Sequence, residues 1–214
     1  QNVPEITEVQ SKGMTTLRFL FRRDIFFFIL CIMMPMLIML YFKDYLFPLY
    51  ANESGITDTN IGNVLLFAGA VSIVFGTTIS DWLLKRFGSE GVMLISTVIV
   101  CGSLVMFGLM PSYELSVVVI FVLSLVTGFS LGAQEIYYSS LKEFKSYGAK
   151  RSMSIYSIFD NISQTVGPLI MGALLFMGYG GECFIMGVAG LGLFAIFTVI
   201  RFFGKIREKA KNND

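Results

Sequence analysis

A polar stripe lies within an apolar stretch late in the chain. Ser157, Asp160 and Gln164 have the i, i+3, i+7 spacing of one helical face, and Asn161 and Thr165 lie beside it. A carboxyl among hydroxyls and amides can bind a proton or a small polar solute. The same groups can also form a buried hydrogen-bond network that holds helices together, and the sequence leaves both interpretations open.

Two further groups of polar residues lie in apolar surroundings. One is a patch of Gln134, Glu135, Tyr137 and Tyr138. The other is Tyr41 with Lys43 and Asp44, which is also typical of an aromatic anchor at a membrane surface. We predict that a substrate or proton pathway uses Asp160, Asn161, Gln164, Gln134, Ser157 and Tyr138.

Other kinds of chemistry find little support in the residue types. The chain contains no His, which removes His-based catalytic triads and most zinc sites. Cys31, Cys101 and Cys183 lie in or beside apolar runs and have neither disulfide nor metal-ligand spacing. The sequence therefore predicts no cofactor and no metal. An intramembrane enzyme is the weakest hypothesis, because no nucleophile lies beside a base.

The elements that must position these residues are long apolar runs. Hydrophobic residues make up 55% of the 214 residues, charged residues only 14%, and the mean hydropathy is +0.72. A soluble domain carries roughly 25% charged residues. Uncharged runs occupy residues 25–42, 59–80, 91–113, 115–134, 161–181 and 183–200. Each has about 18 residues or more, enough to cross a hydrocarbon core as a helix, so the pattern predicts six membrane-spanning helices.

Basic residues are distributed very unevenly among the segments that join these runs. Of the 16 Lys and Arg residues, 15 fall before the first run, after the last, or in every second connection. Only Lys43 falls on the other side. The acids there are Asp44, Glu53, Asp58, Glu114 and Glu182. This asymmetry follows the positive-inside rule and predicts that both termini are cytoplasmic.

Small residues indicate where helices pack closely. Three runs contain them: Gly62, Gly69 and Gly76; Gly128 and Gly132; and Gly167 and Gly172 around Pro168. Glycine lets helix backbones approach each other in lipid, so we expect these stripes to be contact lines. Helices that slide past one another during a transport cycle use the same residues.

The stretch GTTISDWLLKRFG at residues 76–88 lies between the second and third runs. Gly76, Asp81, Lys85, Arg86 and Gly88 follow the pattern G-x-x-x-x-D-x-x-x-[KR]-[KR]-x-G, which resembles the signature loop of the major facilitator superfamily. The usual loop has a basic residue directly after the Asp, where this chain has a tryptophan. The alternative is an ordinary basic turn, which does not explain Asp81 because acids contribute little to topology.

A second stretch, GAKRSMSIYSIFDNISQTVGPLIMGALL, resembles the fifth helix of a six-helix half in the same superfamily. Glu135 stands where many members keep an acid ahead of a loop arginine, here Arg151. The resemblance implies that Asp81, Glu135 and Arg151 form a cytoplasmic charge cluster that locks the outward-open state. We therefore expect a gating motif of Gly76, Asp81, Lys85, Arg86, Gly88, Glu135 and Arg151.

The resemblance covers about residues 14–204. It implies an all-α integral membrane protein, a six-transmembrane-helix bundle that is half of the facilitator fold. We expect a cytoplasmic linker at residues 1–13 and a cytoplasmic tail at 205–214, which favour the C-terminal half. The expected spans are about residues 25–45, 60–84, 91–111, 115–140, 150–179 and 183–203.

These features lead to one principal functional hypothesis. We expect secondary active transport of a small solute by alternating access, as part of a carrier in a bacterial-type plasma membrane. Its partners would be the other six-helix half, the solute and the lipid bilayer, and no nucleic acid. A single acid in the membrane allows proton coupling, and equally a cationic, sugar-like or zwitterionic solute. The alternative is a facilitator-like sensor domain that relays to a soluble module without transport.

Overall fold

The chain forms long helices and, among the residues described, no strand. The computed structural model describes residues 15–211, without the side chains of Thr77 and of residues 205–211. The helices are α1 (Thr16–Leu20), α2 (Arg23–Glu53), α3 (Asp58–Leu109), α4 (Tyr113–Ser140), α5 (Lys142–Tyr147), α6 (Ala149–Leu174) and α7 (Gly178–Lys211). The predicted all-α class is confirmed.

Five helical stretches in this part of the chain are long and apolar enough to cross a membrane. They are Arg23–Glu53, Asp58–Gly76, Thr78–Leu109, Tyr113–Ser140 and Ala149–Gly204. Helices of this length and composition are typical of a membrane protein, because every backbone polar group is paired within the helix.

Helix α3 is folded back on itself at Gly88. The backbone there has φ 67° and ψ 171°, a conformation that no helix can continue and that glycine adopts without a steric penalty. At the start of α3, Asp58 accepts a 3.1 Å hydrogen bond from the side chain of Asn52, near the end of α2. The last turn of α3 lies at the same end, because the Phe107 ring is 5.3 Å from that of Tyr50.

The two arms of α3 have different neighbours. The second arm (residues 89–109) runs parallel to α2: the Thr97 hydroxyl lies 3.9 Å from the sulfur of Met36, and the Cys101 sulfur lies 3.8 Å from that of Met39. Both contacts are buried, so this arm forms part of the core. The first arm (residues 58–87) packs on α4 and is much more exposed.

Helix α7 packs antiparallel to the second arm of α3. Near its start, a Cβ at Gly187 would lie 2.8 Å from the carbonyl oxygen of Cys101. Near its end, the Arg201 side chain lies 3.5 Å from that of Glu90. Residue numbers thus increase along α7 in the direction in which they decrease along the second arm of α3.

The turn between α6 and α7 lies earlier than the connection expected between the spans 150–179 and 183–203. It is a 3₁₀ turn at Leu175–Met177, followed by Gly178 with φ 77°. Gly180 lies within α7, where a Cβ would approach the Gly108 carbonyl oxygen to 3.0 Å. The first glycine therefore makes the turn, and the next one allows close packing on α3.

Two prolines in α2 each follow a wider, π-helical turn. Pro35 and Pro48 lack the N–H that would bond to the carbonyl four residues earlier, and their rings crowd that carbonyl. The π-helical segments Ile29–Met33 and Phe42–Leu46 lie directly before them. The second segment carries Lys43 and Asp44.

The glycine stripes mark close contact at only some of their positions. A Cβ at Gly76 would lie 2.8 Å from the Cα of Gly128, so the first arm of α3 crosses α4 at backbone contact. Gly62, Gly69 and Gly132 face open space, with no atom within 4 Å of such a Cβ.

The two ends of the bundle differ in character. We call the end that holds Arg23, Ser152 and Arg201 the basic end, and the end that holds Tyr50, Phe107 and Tyr179 the aromatic end. The linker predicted for residues 1–13 lies outside the described residues. Helix α7 continues into the predicted tail as far as Lys211.

Candidate functional site: the polar face of α6

Helix α6 has three distinct faces. Its buried face contains Ser152, Tyr156, Ser163, Gly167 and Met171. An apolar face carries Ile158, Ile162 and Leu169, which are 55%, 39% and 67% exposed. Between these two, about a quarter-turn from the buried face, lie Ser157, Asp160, Asn161 and Gln164. We call these four residues the polar face; it points neither into the bundle nor in the apolar direction.

Asp160 is the charged centre of the polar face. It lies roughly 16 Å along α6 from Ala149, at 1.5 Å per residue, and its side chain is half-buried. The Gln164 side-chain nitrogen donates a 3.0 Å hydrogen bond to its carboxylate. No ion pair joins Asp160 to any basic group in the described part of the chain. The carboxylate thus has one neutral partner and room for another ligand.

The C-terminal half of α2 lies beside the polar face. The ring of Tyr41 covers Gly167, where a Cβ would lie 2.8 Å from it. Tyr41 is in electrostatic range of both Asp44 and Asp160. Lys43 and Asp44 form a 3.9 Å ion pair and largely neutralise each other. Asp160 is therefore the uncompensated charge in this region.

Gln134 and Tyr138 lie apart from the polar face. Gln134 is fully buried, and its side-chain nitrogen lies 2.8 Å from the sulfur of Met36. The Tyr138 hydroxyl donates a 3.0 Å hydrogen bond to the Ser152 carbonyl oxygen, which ties α4 to α6. The structure thus brings together four of the six predicted pathway residues and gives these two packing positions. A pathway role for Gln134 and Tyr138 stays a prediction.

In the motif at residues 76–88, some residues pack between helices and others are exposed to solvent. Gly76 is buried at the α3–α4 crossing, and Gly88 makes the turn. Asp81, Lys85 and Arg86 are exposed at the basic end. The Arg86 guanidinium lies 5.8 Å from the ring centres of both Trp82 and Phe87, so the tryptophan that departs from the family pattern holds a basic side chain.

The expected charge cluster of Asp81, Glu135 and Arg151 is not assembled. All three side chains are exposed, and among residues 15–211 no ion pair joins any two of them. They lie on three different helices: Asp81 on α3, Glu135 on α4 and Arg151 on α6. Their role as a lock stays a prediction.

A different charge cluster, which the sequence did not reveal, lies at the basic end. Arg201 of α7 lies 3.5 Å from Glu90 of α3 and 3.9 Å from Asp24 of α2. Its guanidinium also lies 5.8 Å from the ring centre of Tyr137 of α4. Beside it, Arg23 donates a 2.8 Å hydrogen bond to the Ile200 carbonyl oxygen. The cluster joins the ends of four helices, and its members are too far apart in sequence to show a spacing.

In the part of the chain that the structure describes, no group of three His, Cys, Asp or Glu residues is placed to hold a metal ion. The polar face instead offers one carboxylate, two amides and a hydroxyl on one side of a membrane-length helix. No family model, curated protein or solved structure matches the chain.

Proposed function

We propose that this chain is one six-helix half of a carrier of the major facilitator type. It would move a small solute across a membrane by alternating access, with Asp160 in the pathway. The observation that carries the proposal is the polar face of α6. A carboxylate and amides lie halfway along a membrane-length helix, on a side where Ser157, Asn161 and Gln164 are exposed and Asp160 is half-buried.

The turns at Gly88 and Gly178 support the proposal of six crossings. The first arm of α3 would cross in one direction and its second arm in the other, and α6 and α7 would do the same. With α2 and α4 this makes six helices between the basic and aromatic ends. The basic residues then lie on one side, with Lys43 as the exception, so the basic end would be cytoplasmic in a bacterial-type plasma membrane.

The proposal requires a partner for the polar face. An acid exposed to acyl chains costs about 2.5–3.5 kcal/mol on insertion scales, so Asp160 needs water or protein beside it. A second six-helix half facing α6 would enclose these groups in a cavity near the bilayer midplane. The apolar face of α6, with Ile158 and Leu169, would then contact lipid.

The chemistry available to this cavity is binding, not bond cleavage. Asp160 would attract a cationic group or a proton, and Asn161, Gln164 and Ser157 would orient a polar solute through hydrogen bonds. Rocking of the two halves would expose the cavity to each side in turn. The glycine contact at Gly76 would let the first arm of α3 stay close to α4 during this motion.

The test is solute-dependent proton flux in proteoliposomes of the full-length protein, measured with an entrapped pH-sensitive dye. Cationic, zwitterionic and sugar-like solutes are added as separate panels. Replacing Asp160 with Asn should lower the flux by about tenfold or more, because the amide keeps the shape but cannot carry the charge or the proton.

The matched control is Glu114→Gln, which removes an exposed acid at the start of α4. It should leave the flux unchanged. Equal flux in the Asp160→Asn variant and the unaltered protein would contradict the assignment of the pathway. Specific binding of a solute with no flux in the unaltered protein would favour the sensor alternative.

A further inference from the structure

A buried carboxyl lies at the aromatic end, away from the polar face. Glu182, in the second turn of α7, is 0% exposed. Neither of its carboxylate oxygens has a hydrogen-bond partner among the described residues. No ion pair reaches it in that part of the chain either. Such a group is costly to bury as an anion and much less costly as the neutral acid.

The ionisable groups around Glu182 supply no positive charge. On α7 the nearest are Tyr179, one turn earlier, and Cys183. From α2, Tyr45 and Glu53 are in electrostatic range of Tyr179, and the Tyr50 ring packs on the Tyr179 ring. The adjoining end of α3, residues 104–108, contains no ionisable side chain. A proton is therefore the positive charge available to Glu182.

Aromatic rings and glycine contacts close this site from the aromatic end. The Tyr179 ring lies 5.2 Å from that of Tyr50, which in turn lies 5.3 Å from that of Phe107. Gly180 and Gly108 bring the backbones of α7 and α3 together directly beside Glu182. We call the rings of Tyr50, Phe107 and Tyr179 the cover. They come from three helices, so separating those helices would open the site to water.

We propose that Glu182 is a proton-binding site whose occupancy is coupled to the packing of α7 on α2 and α3. The carboxylate takes a proton from a hydronium ion in the water at the aromatic end: an O–H bond of that ion breaks, an O–H bond to the carboxylate forms, and a water molecule is left. The neutral acid is then enclosed when Tyr179 packs on Tyr50. Separation of these rings lets water in, and the proton returns to that water as Glu182 ionises. The proposal does not depend on solute transport, because it concerns the protonation of one carboxyl.

The test is infrared difference spectroscopy of the full-length protein in lipid bilayers. The unaltered protein should show the C=O stretch of a protonated carboxyl at near-neutral pH, with slow exchange in heavy water. Glu182→Gln should remove this band. Glu114→Gln, at an exposed acid, should leave it in place. Glu182→Asp, which keeps a carboxyl, should shift the band in frequency if the Gln variant does not fold.

The cover is tested by Tyr179→Ala. Opening it to water should make the band exchange faster and disappear at a lower pH than in the unaltered protein. Absence of the band at near-neutral pH, or a band that neither Glu182 variant alters, would overturn the proposal. Loss of solute flux in Asp160→Asn would not change the Glu182 band, so failure of one proposal can be distinguished from failure of the other.

Discussion

Replacing Gly76 with alanine is expected to destabilise the helix bundle by about 1–3 kcal/mol. The new Cβ would lie 2.8 Å from the Cα and 3.1 Å from the carbonyl carbon of Gly128. Both are backbone atoms, so no side-chain rotation can relieve the clash and the first arm of α3 must move away from α4. The reciprocal change, Gly128→Ala, would place a Cβ 2.8 Å from the Ser72 carbonyl oxygen and should have a similar effect.

Glycines of the same stripes that do not contact a neighbouring helix provide the controls. Gly62→Ala and Gly69→Ala on α3, and Gly132→Ala on α4, add a methyl group to open space. Alanine favours helix over glycine by about 0.5–1 kcal/mol, so these variants should be neutral or slightly stabilised. Equilibrium unfolding in mixed micelles with increasing SDS measures the difference. Equal stability of the Gly76 and Gly62 variants would contradict a backbone crossing at Gly76.

Gly187→Ala is expected to have the second large effect, because it affects the contact between α7 and the second arm of α3. The Cβ would lie 2.8 Å from the Cys101 carbonyl oxygen and 3.0 Å from the Val105 nitrogen. Since these atoms belong to a rigid helix, we expect a loss of about 1–3 kcal/mol. Gly192→Ala, on the same helix and facing open space, should not lose stability.

Gly187 and Gly192 also provide a test of the direction of α7. In the antiparallel arrangement, a Gly187→Cys and Val105→Cys pair should form a disulfide on mild oxidation, whereas Gly192→Cys with Val105→Cys should not. Crosslinking of the second pair in preference to the first would contradict the packing of α7 on α3. The native Cys31, Cys101 and Cys183 would be replaced first.

Most of the helical framework could be predicted from local composition. Long uncharged runs form helices because lipid leaves no other way to pair the backbone, and Gly88 stands out as a break between two of them. The polar stripe around Asp160 could also be predicted, because the i, i+3, i+7 spacing of its residues depends on a single helix. In these cases the controlling interactions lie within a few residues of each other.

The remaining features depend on contacts between distant segments. The polarity of Gln134 predicts a place in the pathway, but only the position of Met36 on α2 reveals how Gln134 packs. The position of Glu182 between the runs 161–181 and 183–200 predicts a connecting segment there, whereas the chain turns earlier, at Gly178. Arg201 follows the last uncharged run as one of several basic residues, and its acidic partners Asp24 and Glu90 lie far away in sequence.

The central claim is that the chain crosses the membrane six times and that its basic end stays on one side. Single cysteines in a background without the native three should be probed with a membrane-impermeant maleimide. The exposed positions Lys85 and Ser146, together with Lys211, should react only from the cytoplasmic side, and Ser54 only from outside. Reaction of Ser146→Cys and Lys211→Cys from opposite sides would contradict the account.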